Sequence, residues 1–168
     1  MMHGIKTLLL LRHGKSSWKD ASLRDFDRPL KKRGKQAAEA MGRELLRRGS
    51  RPDLLLSSAA RRARQTAKRV GRSAGYSGVI VTEQALYFSG VRRHLDVVAH
   101  IDATCGCVLL VGHNPDLEDL VEYLTGDAVV LPTAGLVGID LAIDSWSAVA
   151  KTAGTLLFGV TPKTLTHH

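Results

Sequence analysis

Residues 7–14 have the sequence Thr-Leu-Leu-Leu-Leu-Arg-His-Gly. Their leucines form an unbroken apolar run, which is typical of a strand that is buried on both faces of a parallel sheet. The run ends at Arg12 and His13, whose side chains can bind anions and exchange protons. This stretch therefore predicts a central strand that delivers an arginine and a histidine to one end of a sheet.

Two further apolar segments end in the same way. Residues 53–57 (Asp-Leu-Leu-Leu-Ser) predict a second strand, and the helix expected after it carries Arg62 in its first turn. Residues 108–111 (Val-Leu-Leu-Val) predict another strand that leads directly to His113. The carboxyl ends of the strands form the usual ligand crevice of an open α/β sheet. The polar residues at these three strand ends are therefore expected to converge.

Helical periodicity alternates with strand patterns along the whole chain. Further helices are predicted over residues 35–48 and 92–101 and after Asn114, which is the expected N-cap of a helix that has Pro115 in its first position and stops at Gly126. Further strands are predicted over residues 79–81, 135–143 and 155–160, the last two as a hairpin. The alternation predicts one domain over residues 1–168, with its core at about 5–160. Its expected architecture is a three-layer α/β/α sandwich around a mostly parallel central sheet.

The composition is that of a globular protein with a basic surface. The chain has 168 residues, of which 44% are hydrophobic, as one packed domain requires. Its 24 Lys and Arg residues outnumber 16 Asp and Glu residues, and a net charge of +8 attracts phosphate-bearing or acidic partners. Only 5% of the residues are aromatic, and no basic run is interleaved with stacking rings, so nucleic acid is not the favoured partner.

Other features assign no metal, disulfide or membrane segment. Cys105 and Cys107 are too close in sequence for an ordinary disulfide and are interpreted as small buried apolar residues. No apolar run is long enough to span a bilayer and no secretion signal opens the chain, which predicts a cytoplasmic location. The remaining histidines have no motif around them and are expected at surface or terminal positions without a role: His3, His94, His100, His167 and His168.

The converging residues have the chemistry of a phosphate site. Two guanidinium groups and two imidazoles suit a dianionic phosphoryl group, because arginine binds phosphate oxygens as a fork. An unprotonated imidazole can also attack phosphorus. Phosphoryl transfer at this pocket would require no metal.

Three motifs occur in order: Leu-Arg-His-Gly at 11–14, Ser57-Ser58 followed by Arg-Ala-Arg-Gln-Thr at 62–66, and Gly-His-Asn-Pro at 112–115. On these the chain resembles the histidine phosphatases of the phosphoglycerate mutase and acid phosphatase superfamily. Residues 15–18, 25–30 and 32–34 are similar to the SixA-type phosphohistidine phosphatases. The resemblance covers residues from about 5 to 145 and implies a phosphoglycerate mutase-like fold.

The resemblance implies a role for each matching residue. His13 would be the nucleophile that takes the phosphoryl group, and Arg12 would hold the phosphoryl oxygens. Arg62 matches the second phosphate-binding arginine. His113 matches the second histidine, which would contact the phosphoryl group and stabilise the charge of the transition state.

Two assignments stay open in the sequence. Arg61 and Arg64 are the nearest competitors of Arg62. Family enzymes also use a carboxylic acid to protonate the leaving group, and Glu83 is the best-placed candidate, although no motif distinguishes it from a surface carboxylate. A phosphohistidine substrate reduces the need for such an acid, because its phosphorus–nitrogen bond is already labile.

Together these features predict a monomeric, cofactor-independent phosphatase that works through a phosphohistidine enzyme intermediate. A chain this short has little room for a lid, so the expected substrate is phosphohistidine on a protein. One alternative is a phosphatase or mutase that acts on a small phosphorylated metabolite. An alternative of another class is a noncatalytic module that binds phosphate or nucleic acid.

Overall fold

The computed structural model describes residues 4–151 and 153–165, so His3, His167 and His168 lie outside the described residues. A six-stranded sheet forms its centre, in the order β3-β2-β4-β1-β5-β6. The strands are β1 (Lys6–Arg12), β2 (Leu54–Ser58), β3 (Ile80–Glu83), β4 (Cys107–Gly112), β5 (Leu136–Leu141) and β6 (Gly154–Val160). The first four are parallel, whereas β5 is antiparallel to β1 and β6 to β5. The predicted mostly parallel sheet is confirmed, and so is the antiparallel pairing of the last two strands.

Helices cover both faces of the sheet. They are α1 (Lys32–Arg48), α2 (Arg61–Ser73), α3 (Val91–Ala99), α4 (Asp116–Thr125) and the short α5 (Pro162–Leu165). Successive side chains of β1 point to opposite faces: Leu9 and Leu11 pack in a core with α1 and α2, and Leu8 and Leu10 in a core with α3 and α4. The three-layer sandwich is therefore confirmed. Within the described ranges, no helix has the length and apolarity needed to cross a membrane.

The boundaries of several elements differ from the predicted ones. Helix α1 begins at Lys32 rather than at residue 35 and includes Gly34, which lies against the backbone of Lys15, where a Cβ atom would collide with the carbonyl oxygen. In the middle region, β3 and α3 occupy residues 80–83 and 91–99 instead of 79–81 and 92–101.

The expected N-cap at Asn114 is wrong. The residue preceding α4 is Pro115, the Asn114–Pro115 peptide is cis, and Asn114 Nδ2 instead donates a hydrogen bond of 2.7 Å to the Leu131 carbonyl. Tertiary contact has replaced local capping, so Asn114 anchors the loop that precedes β5.

Two predictions of burial also need correction. His94 is fully buried in α3 rather than at the surface, and its Nδ1 donates to the Gly90 carbonyl at 2.7 Å. Cys105 and Cys107 are half-buried free thiols, not buried apolar residues. Burial raises the pKa of Cys107 to about 12, so its thiol stays protonated.

Candidate active site

Three neighbouring strands deliver the polar residues to one point. Strand β4 lies between β2 and β1, and its end carries His113 beside His13, which follows β1. The two imidazole rings are 5.1 Å apart between centroids. Arg62, in the first turn of α2, reaches both rings: its Nε lies 3.3 Å from His13 Nε2 and its Nη2 lies 3.5 Å from His113 Nδ1. The structure thus brings together residues that are 49 and 51 positions apart in sequence.

The hydrogen bonds of His13 define its protonation. Its Nδ1 lies 2.7 Å from the Gly14 carbonyl oxygen, which can only accept, so Nδ1 carries the proton. Its Nε2 accepts from Arg62 and is therefore unprotonated. The nitrogen that faces the arginine thus carries a lone pair rather than a proton, as an attacking nucleophile requires.

His113 has the opposite tautomer. A guanidinium has no acceptor, so the contact with Arg62 places a lone pair on Nδ1 of His113. The proton is on Nε2, which donates at 2.8 Å to the hydroxyl oxygen of Ser58 at the end of β2. Ser58 thus fixes the orientation of the second imidazole.

Both imidazoles are held in the neutral form. Burial, and then the charges of Arg62, Arg12 and Arg28, lower the pKa of His13 to about 4, against the opposing effect of the Gly14 hydrogen bond. Burial, His13 and Arg62 lower the pKa of His113 to about 3. His13 is therefore a neutral imidazole at neutral pH, with an unprotonated Nε2, and it needs no base to activate it.

Arg12 supplies a donor that has no protein partner. It directly precedes His13, and its Nη1 donates to the Leu131 carbonyl at 3.2 Å. Its Nε is buried, and among the described residues it has no hydrogen-bond partner. Buried donors are almost always paired, so this group is available to an anion beside His13.

A carboxylate that the sequence interpretation did not single out holds Arg62 in place. Asp25 accepts from Arg62 Nη2 at 2.9 Å through Oδ2, and its backbone carbonyl accepts from Nη1 at 2.7 Å. The Asp25 carboxylate also accepts from Tyr87 at 2.6 Å and from Arg28 at 3.0 Å. Partial burial favours a higher pKa, but the hydrogen bonds from Tyr87 and Arg62 outweigh it and hold the pKa of Asp25 at about 2. Asp25 is thus a fixed anion and not a proton donor.

The only sequence signal for Asp25 is its place in the segment 25–30, whose similarity to the SixA type gives no role to a single side chain. The residue lies on a short 3-10 turn, Asp25–Asp27, in a polar loop. No periodicity marks such a loop, and only the tertiary structure brings it to Arg62.

The competing arginines point elsewhere. Arg61 contacts the Asp27 carbonyl at 3.5 Å and Arg64 donates to the Ala59 carbonyl at 2.8 Å, and both side chains are at the surface. Arg62 is 3% exposed, and it is the arginine of this cluster that contacts the two imidazoles.

Glu83 lies at the end of β3, paired in register with Ser58 of β2. Its side chain lines a separate cavity of about 430 Å³ together with Leu54, Val97 and His100. Within the described part of the chain, Glu83 makes no hydrogen bond or ion pair with the four site residues.

An aromatic wall borders His113. The rings of Phe88 and Tyr87 lie 4.7 and 5.4 Å from the His113 ring, and Phe26 packs edge-on against Tyr87 at 5.0 Å. Phe88 is 49% exposed and has a φ of 49°, an uncommon conformation for a bulky residue. Such strain is often found at functional sites, and here it turns a ring toward the pocket.

The Thr66 side chain connects the loop after β1 to α2. The Gly14 amide donates to Thr66 Oγ1 at 3.0 Å, and the Thr66 hydroxyl donates to the Arg62 carbonyl at 2.8 Å. This one side chain couples the loop after β1 to the first turn of α2. His13 and Arg62 therefore hold a fixed relative position.

Comparisons with known proteins agree with this geometry. Residues 8–87 match the family model of the histidine phosphatase superfamily (branch 1). The SixA protein of Agrobacterium tumefaciens, designated a phosphohistidine phosphatase, is 31% identical; the match covers 94% of this chain and 98% of that one, with a TM-score of 0.80. The SixA protein of Nakamurella multipartitia has the same designation and is 28% identical over 96% of this chain and 99% of its own, with a TM-score of 0.83. An uncharacterized chloroplastic protein of Arabidopsis thaliana is 31% identical over 89% of this chain and 72% of its own length.

Proposed function

Since the chain belongs to the histidine phosphatase superfamily and is of the SixA type within it, we propose that it hydrolyses phosphohistidine on a protein through a phosphorylated His13. The supporting observation is the unprotonated Nε2 of His13, which lies 3.3 Å from Arg62 Nε, together with the buried Nε of Arg12, which has no hydrogen-bond partner among the described residues. These groups would supply a nucleophile and two donors to the phosphoryl oxygens.

The reaction has two steps. Nε2 of His13 attacks phosphorus, the phosphorus–nitrogen bond of the substrate breaks, and its electron pair stays on the departing imidazole. A substrate ring that is protonated on its other nitrogen leaves as neutral imidazole and takes no proton from the enzyme. Water then attacks the phosphorus on His13, which releases inorganic phosphate and restores neutral His13 with its proton on Nδ1.

The surrounding groups stabilise the transferring phosphoryl group. Arg12 and Arg62 would donate to its oxygens, and His113, whose orientation Ser58 fixes, contacts Arg62. Preorganised donors of this kind supply much of the acceleration of phosphoryl transfer. Because the leaving imidazole needs no proton from the enzyme, the mechanism is compatible with the absence of a protonated carboxyl among the residues that contact His13 in the described chain.

The aromatic wall favours a ring as the leaving group. Phe88 exposes half of its surface beside His113, so a departing imidazole can stack on it. A small aliphatic phosphate ester has no group that would gain from this contact.

The proposal is tested with a histidine-phosphorylated phosphotransfer protein as substrate and a panel of small phosphate esters beside it. Wild-type enzyme quenched during turnover should carry an acid-labile phosphate on His13, as located by mass spectrometry under alkaline conditions. His13→Ala should lose at least about a thousandfold in kcat, because it removes the nitrogen that would carry the phosphoryl group. The control is His100→Ala, which removes an exposed histidine whose Nδ1 donates to the Asp96 carbonyl.

Two results would contradict the proposal. Full turnover by His13→Ala would exclude the covalent mechanism. Efficient hydrolysis of a sugar phosphate, with no action on the phosphorylated protein, would identify the enzyme as a metabolite phosphatase instead.

A further inference from the structure

A groove beside the candidate active site is lined by residues that have no part in the proposed reaction. Residues 17–19 and 29–33 line an open cavity of about 720 Å³, here called the Trp18 groove. Trp18 is 72% exposed, which is unusual for so large an aromatic residue. Neither the nucleophile nor the phosphate donors line this groove.

Trp18 is rigidly held despite its exposure. One face of its ring covers the Arg28 guanidinium, whose central carbon lies 3.2 Å from the ring centroid. Arg28 is itself fixed by Ser16 at 2.5 Å and by Asp25 at 3.0 Å. The indole therefore presents its other face to solvent. Because the ring is already held in place, a partner that binds to it would cost little conformational entropy, as with the anchor residues of protein interfaces.

The groove is part of the same framework as the catalytic loop. The segment after His13 forms a short antiparallel ribbon with residues 29–31, in which Ser17 and Lys31 donate backbone hydrogen bonds of 2.8 Å each. The Leu30 amide donates to Gln65 of α2 at 2.8 Å. Arg28, beneath Trp18, shares Asp25 with Arg62. A partner seated in the groove would thus lie directly beside the phosphate pocket.

The charge of the groove has one sign. Lys19, Lys31, Lys32 and Arg33 line it, all four are exposed, and no Asp or Glu is among the described lining residues. None of the four forms an ion pair with a carboxylate within the described ranges. The nearby Asp20 is engaged by Ser22.

The positions of these cations oppose the preference of the helix dipole. Three of the four cations lie at the start of α1, where the helix dipole favours acidic residues, yet the first turn of α1 contains none. Sequences that break a local rule without a structural gain commonly do so for function. The positive end of the helix adds to a field that attracts a negatively charged surface.

Resting on the proposed function, we propose that the Trp18 groove is the docking surface for an acidic face of the histidine-phosphorylated protein substrate. The partner is a folded protein whose phosphohistidine is flanked by Asp and Glu side chains. These would contact the cations while an apolar side chain covers Trp18. A protein is favoured over nucleic acid because the groove has one aromatic ring, one face of which is already covered by Arg28.

The test compares two substrates for each variant. Trp18→Ala and the double variant Lys31→Glu/Lys32→Glu are assayed on an acidic phosphotransfer protein phosphorylated on histidine and on p-nitrophenyl phosphate. Each change should lower kcat/KM for the protein about tenfold or more, as loss of an interface anchor or of charge complementarity does, and leave the small ester within about twofold.

Matched controls are available at the opposite end of the sheet. Val79→Ala removes an apolar side chain that is 78% exposed, and Arg51→Glu/Arg72→Glu reverses two exposed charges. Neither should change activity on either substrate. Salt should weaken the wild-type reaction with the protein and have less effect on the Lys31→Glu/Lys32→Glu variant.

The outcomes separate the two proposals. A wild type that cleaves the small ester but not the phosphorylated protein would overturn the substrate assignment, and the docking surface with it. A wild type active on the protein, with groove variants that keep full kcat/KM, would overturn the docking surface alone. Groove variants that lose binding of a labelled single-stranded oligonucleotide while keeping activity on the protein would reassign the groove to nucleic acid.

Discussion

At the scale of single residues, Asp25 determines how Arg62 is presented. Its carboxylate and its carbonyl occupy both terminal nitrogens of the guanidinium, while Nε faces His13. Because these contacts fix its side chain, Arg62 would need no rearrangement to bind a phosphoryl group. Preorganisation of this kind supplies a large part of enzymatic rate acceleration.

Replacing Asp25 by Asn should therefore separate positioning from charge. We expect kcat on p-nitrophenyl phosphate to fall about tenfold, because Arg62 keeps only neutral acceptors in place of its ionic partner, and small misplacements of a catalytic group cost this much or more. Inhibition by inorganic phosphate should strengthen, because a negative charge has left the pocket. The control is Asp27→Asn, which removes a carboxylate paired with Arg24 at the surface. Unchanged kcat and weaker inhibition would refute this role.

Glu83 provides a second prediction at the same scale. Since it lines another cavity and forms no hydrogen bond or ion pair with the four site residues in the described chain, Glu83→Gln should keep kcat within about twofold and leave the pH profile unchanged. A loss of a hundredfold or more, the typical contribution of a general acid, would restore Glu83 as the proton donor. The comparison is made on p-nitrophenyl phosphate, whose leaving group is not an imidazole.

Some residues of the site can be predicted from the sequence, and others cannot. The convergence of His13, Arg62 and His113 could be predicted because each follows or adjoins an apolar strand, and parallel strands end at a common edge. Asp25, Tyr87 and Phe88 could not, because they belong to loops whose path depends on tertiary packing. His94 was misplaced because helical spacing at the edge of a short amphipathic segment does not reveal which neighbour covers it.

At the scale of elements, the start of α1 shows a tertiary contact overriding helix propensity. Glycine is a poor helix former, so the sequence favours a start after Gly34, whereas the helix begins two residues before it. Gly34 allows α1 to approach the loop after β1 closely: a Cβ on Gly14 would lie 2.7 Å from the Gly34 carbonyl oxygen, and a Cβ on Gly34 would collide with Lys15. Two glycines thus let the helix lie directly against the backbone that follows His13.

The sign of a Gly34→Ala substitution tests this explanation. At an open helical position the change would stabilise the protein by about 1 kcal/mol. Here we expect destabilisation of about 1–3 kcal/mol, because the backbone of Lys15 must move, together with reduced kcat as His13 shifts. Urea unfolding and activity assays measure both effects. Stabilisation with unchanged kcat would show that the contact is loose.

At the scale of the whole molecule, the neutral histidine pair links stability to pH. The pKa of His13 is lowered from 6.5 to about 4, and that of His113 to about 3. Between pH 6.5 and about 4 the unfolded chain therefore binds more protons than the folded one, so stability falls as the pH falls through this window. The burial that keeps both rings neutral at neutral pH thus lowers the stability of the fold in acid.

Unfolding in urea at pH 7 and pH 5 should reveal this cost. Each ring contributes roughly 2 kcal/mol of lost stability over this interval, at about 1.4 kcal/mol for each pKa unit. His113→Asn should reduce the difference between the two pH values, whereas the control His100→Asn should retain it. Asp25, with a pKa of about 2, loses its charge only at lower pH and does not contribute here. Equal stability at the two pH values would contradict neutral buried rings.

The order of strands has a consequence for how the molecule acquires its activity. In the sheet, β1 and β2 do not pair with each other; β4 lies between them and pairs with both. A nascent chain that has emerged only as far as α3 therefore has His13 after β1 and Arg62 after β2, without the strand that lies between β1 and β2. Strand β4, the last of the four parallel strands to be synthesised, must insert between two older ones, and turnover during refolding would report the moment of that insertion.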